Sequence, residues 1–251
     1  MSMKNLLNIA KFSLLFGVLI AISSCNNEPD ISDVSRITYF PEFAYEGGDV
    51  SLIPCNSDYE ISPVTATEGG SPLPVEVETT GILGPVPSVD INKADIYVET
   101  SSAVNQDGYA GEVVRTFWVA CTGDLVTSIE GLYVSNVVRT NVVNPQYFGL
   151  EYVLIRKVGA DVYEISDAIG GYYDLGRAYG AAYRAIGMTI TAMDIPGNNF
   201  TFGAQVPVGA FGGNLKMNSF SVDPAAKKIT FQSEWDSPHH FFDVELTQVA
   251  L

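Results

Sequence analysis

The feature that most constrains this chain is its punctuation. Short runs of β-branched and aromatic residues recur from Arg36 onward: Ile37-Thr-Tyr-Phe, Val50-Ser-Leu-Ile, Val75-Glu-Val, Ile96-Tyr-Val and residues 113–119, then residues 152–157, 162–165, 188–193, 199–202, 215–222, 229–235 and 241–246. Gly, Pro, Asn and Asp interrupt them at close intervals. A strand needs only a few residues at a two-residue period, whereas a surface helix needs about ten or more at a period of 3.6. Residues 36–123 hold no helical period of useful length, so the chain is predicted to be all-β. Three turns stand out: Asn105-Gln-Asp-Gly108, Val158-Gly-Ala-Asp161 and Asp223-Pro-Ala-Ala-Lys227. Each combines Gly, Asn, Asp or Pro at positions where tight turns demand positive or fixed φ.

The pattern divides the chain near residue 123. Residues 36–123 read as a β-sandwich, and residues 124–251 as a second antiparallel domain of seven or eight strands, either barrel or sandwich. Charge is also divided. Residues 26–123 carry sixteen acidic and three basic side chains, residues 124–251 thirteen and eight, within a chain of formal charge −16. Such a surface repels phosphate instead of releasing counterions from it, so nucleic acid is excluded as a partner. The acidic first module reads as a solvated spacer. It lacks the Asp-x-Asp-x-Asp-Gly spacing of a calcium loop.

The N-terminus reads as an address. Lys4 and Lys11 accompany an apolar run at residues 12–22, the length of a signal-peptide core. That run is too short to cross a bilayer, which takes about 20 apolar residues. Ile22-Ser23-Ser24-Cys25 resembles the lipobox of bacterial lipoproteins. The resemblance implies that residues 1–24 are removed, and that Cys25 is diacylated and holds the protein on a membrane. Residues 25–35 then form a polar, acidic tether. Acidic residues directly behind such a cysteine resemble the export tag of Bacteroidota lipoproteins, which implies the outer face of the outer membrane.

With Cys25 used for lipid, Cys55 and Cys121 remain in an oxidising compartment. Each ends a strand-like segment. If those segments pair in parallel, both sulfurs lie at one end of the sheet and a disulfide is feasible; two free buried thiols are the alternative.

Tyr59, Val64-Thr-Ala-Thr67, Tyr97, Ala103, Asp107-Gly108 and Arg115 together resemble the bacterial immunoglobulin-like repeat. The sequence departs from it at Asp95, where a glycine is usual. The whole layout of lipobox, acidic tether, immunoglobulin-like sandwich and C-terminal β domain resembles accessory surface lipoproteins of Bacteroidota. The C-terminal residues that carry this likeness are Tyr152-Val-Leu-Ile and Glu164-Ile-Ser-Asp-Ala-Ile-Gly-Gly-Tyr-Tyr-Asp-Leu-Gly. It implies a non-catalytic role beside outer-membrane uptake systems, with polysaccharide, a transporter or its partner lipoproteins as partners.

The most unusual stretch is residues 167–184, with Tyr172, Tyr173, Asp174, Arg177, Tyr179 and Tyr183 among glycines. Two readings stand. Tyrosines suit stacking on sugar rings, with Asp174 and Arg177 bonding hydroxyls or acidic groups; or the segment folds over one end of the sheet and its tyrosines plug the core. The glycines are not a phosphate loop, because the Gly-x-Gly-x-x-Gly order and a following Lys are both missing. His239-His240 lacks the further ligands a zinc site needs and is expected in a hairpin loop, so no metal or cofactor is predicted. Glu151, Glu164, Asp167 and Asp174 have the residue type but no identifying spacing for glycoside hydrolysis, and an enzyme is not expected.

Overall fold

The computed structural model describes residues 37–251. The expected signal sequence, Cys25 and the expected tether lie outside the described residues. Residues Pro41–Leu251 form one compact unit. It is all-β, as the punctuation predicts.

The N-terminal part holds two sheets. β1 (Glu42–Ala44), β3 (Thr65–Glu68) and β4 (Ser71–Leu73) form the smaller, in the order β1-β3-β4. β2 (Val50–Pro54), β5 (Glu76–Gly81), β6 (Asp95–Val104) and β7 (Ala110–Ala120) form the larger, in the order β2-β7-β6-β5. Residues 37–40 form no strand. β2 runs parallel to β7, with Pro54 opposite Ala120. The next residues, Cys55 and Cys121, are joined as a disulfide with a Cα–Cα distance of 4.8 Å. Closing a loop of this length removes about 4 kcal/mol of unfolded-state entropy. At the β6–β7 turn, Asn105 Oδ1 accepts from the N–H groups of Asp107 and Tyr109, and Gly108 supplies a φ of +85°.

The C-terminal part is one curled sheet of nine strands. They are β8 (Gly131–Arg139), β9 (Leu150–Gly159), β10 (Val162–Ile165), β11 (Thr189–Asp194), β12 (Asn199–Phe202), β13 (Val206–Val208), β14 (Gly212–Asp223), β15 (Lys228–Asp236) and β16 (His239–Gln248). All neighbours pair antiparallel, in the order β12-β11-β10-β9-β8-β16-β15-β14-β13. The turns at Asp161 (φ 56°) and Lys227 (φ 53°) fall where the sequence places them. His239 and His240 are the first residues of β16, not a loop.

The prolines within strands lie at sheet edges. Pro54, Pro72 and Pro207 all sit on edge strands (β2, β4 and β13), where the missing N–H faces away from any ladder. β13, with Pro207 at its centre, accounts for the ninth strand where seven or eight were expected.

The sheets share a core. On β6 and β7, Tyr97, Phe117 and Val119 pack with Ile53. Their strand neighbours Ile96, Trp118 and Ala120 face the other way and pack against Leu132 of β8 and Leu154 of β9. Alternation along one strand therefore feeds two cores. Each fully buried Leu or Ile contributes about 1.5–3 kcal/mol. One ionic link crosses this seam. Arg156 of β9 bonds Asp95 (Nη1–Oδ2 2.8 Å) and Glu164 (Nη2–Oε2 2.7 Å). Asp95 is fully buried, and its other oxygen accepts from the N–H groups of Leu83 (3.0 Å) and Ile96 (2.7 Å). The departure from the immunoglobulin-like pattern thus has a physical reason: the carboxylate at position 95 is the socket for an arginine from the nine-stranded sheet.

Candidate functional site

The connection from β10 to β11 is the stretch the sequence singles out, and it turns inward. Asp167, at its start, is buried: Oδ1 accepts from the N–H groups of Ile169 (3.1 Å) and Ala185 (3.0 Å), and Oδ2 from that of Gly171 (3.0 Å). One side chain thereby ties both ends of the excursion. Burial pushes its carboxyl up to about 6, against the lowering effect of those N–H groups and of Arg184. Gly170 (φ +66°) presses onto the sheet so closely that a Cβ would come within 2.9 Å of Val244, Ser135 and Val137 at once. Gly170 serves this close approach, while Gly171 (φ +82°) makes room for the side chain of Leu175.

Past Gly171 the chain makes one π-helical turn, Tyr172–Gly176. Tyr172 is 2% exposed and Tyr173 7%. Tyr172 lies 4.1 Å from the ring of Tyr147 and 5.5 Å from Phe242; Tyr173 lies against Phe242 and Trp235 at 6.1 Å each. This corrects the reading in which both rings face a ligand. Their area is packed into the buried cluster on the inner face of the curled sheet. Asp174 is also withdrawn, because it is buried in an ion pair with Arg184. Arg184 in turn lies 5.6 Å from the ring of Trp118 across the seam. Glu164 serves Arg156, so of the carboxylates considered for hydrolysis only Glu151 is exposed.

What remains outside is smaller and differently composed. Tyr179 and Phe211 are 47% and 45% exposed, and Tyr183 is half-buried between them. Their ring centroids are 4.8 Å (Tyr183–Phe211), 5.3 Å (Tyr179–Tyr183) and 6.2 Å (Tyr179–Phe211) apart. Tyr173 and Trp235 support them from beneath, at 5.0 Å and 5.9 Å from Phe211. Gly209 allows the contact, since a Cβ there would meet Tyr183 Cα at 2.6 Å. Arg177 stands beside this rim. Its Nη2 is 3.5 Å from Tyr172 Oη, and this contact raises its pKa further. Among the described residues, Arg139 and Arg177 are the arginines that make no ion pair with a carboxylate. Phe211 was missed in the sequence because nothing local marks it; it meets the tyrosines only through the fold.

A second surface lies on the sheet face turned away from the plug. The outward residues of β14, β15, β16 and β8 fall into two rungs in register: Ser219–Gln232–Asp243–Val138 and Ser221–Thr230–Glu245–Asn136. A groove of about 610 Å³ runs over them, with Phe148 (41% exposed) at its edge. Phe148 is held in place by its loop. Asn144 Oδ1 caps the 3-10 turn Pro145–Tyr147 through Gln146 N–H, and Gly149 N–H donates to Asn136 Oδ1 (2.8 Å). Tyr147 points into the plug and Phe148 out to the groove.

The two histidines do not converge on a common ligand. His240 Nδ1 is 3.2 Å from Thr140 Oγ1, with its pKa lowered by burial and by Arg139, while His239 faces Glu234 at 3.7 Å. Among the described residues, no group of three or more His, Cys, Asp or Glu side chains is placed to hold a metal ion.

Residues 122–248 match a family model whose description reads "-like, C-terminal domain", and this span is the nine-stranded sheet with its plug. The chain belongs to this C-terminal-domain family. Its structure is similar to the crystal structure of the lipoprotein BT2262 from Bacteroides thetaiotaomicron, with 24% identity and a TM-score of 0.61 over 83% of this chain and 100% of that one. That likeness shows a common fold reaching beyond the family's own span into the N-terminal sheets. No curated protein matches the chain.

Proposed function

We propose that the protein is a lipid-anchored surface lipoprotein that binds a glycan without turning it over, as an accessory to an outer-membrane uptake system. The N-terminal address supports the anchoring at Cys25, and the shared fold with a Bacteroides lipoprotein agrees with it. The observation that carries the binding is the rim of Tyr179, Tyr183 and Phe211, three rings in mutual contact and open to solvent above a rigid aromatic floor. Rings held this way offer flat apolar area at small entropic cost, suited to the C–H face of a sugar, with a phenol hydroxyl at the edge. Arg177 stands ready for hydroxyl or acidic substituents. The N-terminal sheets act as an acidic, well-solvated spacer between membrane and rim.

Affinity electrophoresis of the purified protein in gels containing polysaccharides tests this. Retardation by at least one polysaccharide is expected, and Tyr179→Ala and Phe211→Ala should each reduce it without abolishing retardation by every polysaccharide. No retardation in any gel, together with co-purification with a membrane transporter, would move the assignment to an assembly subunit. Release of reducing ends would make it an enzyme. Detergent phase separation tests the anchor, because the wild-type protein should enter the detergent phase and Cys25→Ala should not.

A further inference from the structure

The groove on the outer face of the sheet has a chemistry of its own. Its polar lining alternates in kind: Asn136 and Gln232 are amides, Asp243 and Glu245 carboxylates, and Thr230 a hydroxyl. These groups hold one another in position. Gln232 Nε2 donates to Asp243 Oδ1 at 2.7 Å and Asn136 Nδ2 to Glu245 Oε1 at 3.4 Å, while Asn218 Nδ2 donates to Gln232 Oε1 at 3.3 Å. Lys228 meets Glu245 at 3.0 Å, which offsets one of the two negative charges. Asp243 makes no ion pair among the described residues, so the groove keeps a net negative character.

We infer that this groove binds a neutral, polyhydroxylated ligand, a saccharide free of carboxylate and sulfate groups. Three properties lead there. Carboxylates and amides side by side accept from and donate to adjacent hydroxyls, each of which can do both. Two carboxylates on one strand repel an anionic sugar, and a third acid that would turn the pair into a cation site does not occur there. Phe148 adds an apolar ring at the edge, against which the C–H face of a sugar can rest. The two rungs cross four strands, about 14 Å at the ordinary inter-strand spacing. That extent suits a chain of sugars better than a single ring. The site stands apart from the rim of Tyr179 and Phe211, being on the sheet face opposite the plug, and it does not depend on the rim being functional.

The test is calorimetric titration of the purified protein with two series of probes: neutral malto-, cello-, xylo- and manno-oligosaccharides, and oligogalacturonates as their acidic counterparts. At least one neutral series is expected to bind and the acidic series not to. Phe148→Ala and Gln232→Ala should each weaken neutral binding about tenfold or more, and Tyr179→Ala should leave it within about twofold. Asp243→Asn, which removes the unpaired charge, should admit the acidic series. These side chains are exposed or half-buried, and unchanged thermal unfolding will show that the variants are folded. Binding lost in Tyr179→Ala and Phe211→Ala but kept in the groove variants would overturn this assignment and leave the rim as the binding surface. No binding of any neutral probe, or equal binding of acidic probes by the wild-type protein, would overturn it as well.

Discussion

The two faces of the nine-stranded sheet are built from the same strands and have opposite fates. On β16, Phe242, Val244 and Leu246 are buried under the plug, while Asp243 and Glu245, one residue along, are half-exposed in the groove. On β15, Ile229, Phe231 and Trp235 face inward, and Thr230 and Gln232 outward. The inner face spends aromatic area on stability. The outer face is covered by the N-terminal strands at Leu132 and Leu154, and over β14, β15, β16 and β8 it keeps polar side chains that bond one another instead of filling a core. The difference also locates the tyrosines: the loop supplies Tyr172 and Tyr173 to the inner cluster, and its later part, with Tyr179, returns to solvent.

Breaking the inner face should have the largest effect. Tyr172→Ala removes a ring packed against Tyr147 and Phe242, and should cost about 3–5 kcal/mol in urea unfolding. A loss below about 1 kcal/mol would mean that the plug is not part of the core.

The next effect is one of pH. In the folded protein the carboxyl of Asp167 is raised to about 6, from an unfolded value near 4. Between those two values the folded state holds a proton that the unfolded state has lost. The contribution of this group is therefore fully present below about pH 4 and declines as pH rises to about 6, by about 3 kcal/mol at most. Unfolding midpoints at pH 4 and pH 7 should show this decline in the wild type and lack it in Asp167→Asn.

The smallest effect is expected on the outer face. Thr230→Ala should change stability by no more than about 0.5 kcal/mol. A larger loss would show that the groove residues hold the sheet together and would erase the contrast between its faces.

Much of this was legible beforehand, for local reasons. Turn residues marked the β6–β7, β9–β10 and β14–β15 connections, and the ends of two strand-like segments marked the Cys55–Cys121 bond. The direction of the plug was not legible, because tyrosine and glycine suit both a ligand surface and a packed loop. What decides between them is packing against Tyr147, Trp235 and Phe242, residues far from the loop in sequence. The groove was hidden for a related reason. Each strand shows its own two-residue alternation, but Gln232 and Asp243 become neighbours only through the register of β15 with β16. Asp95 is a further case: the sequence shows it only as a departure from a pattern, because the partner that explains it, Arg156, lies 61 positions away.

The seam between the sheets also bears on what this family passes on. The recognisable unit starts at residue 122, yet Leu132 and Leu154 bury their outward sides against strands that precede it. A polypeptide begun at residue 122 would carry a bare apolar strip and an arginine without its socket at Asp95. The span that the family model matches is therefore smaller than the span that packs as one piece: cut at residue 122, the sheet would need another cover for the strip and another carboxylate for the arginine.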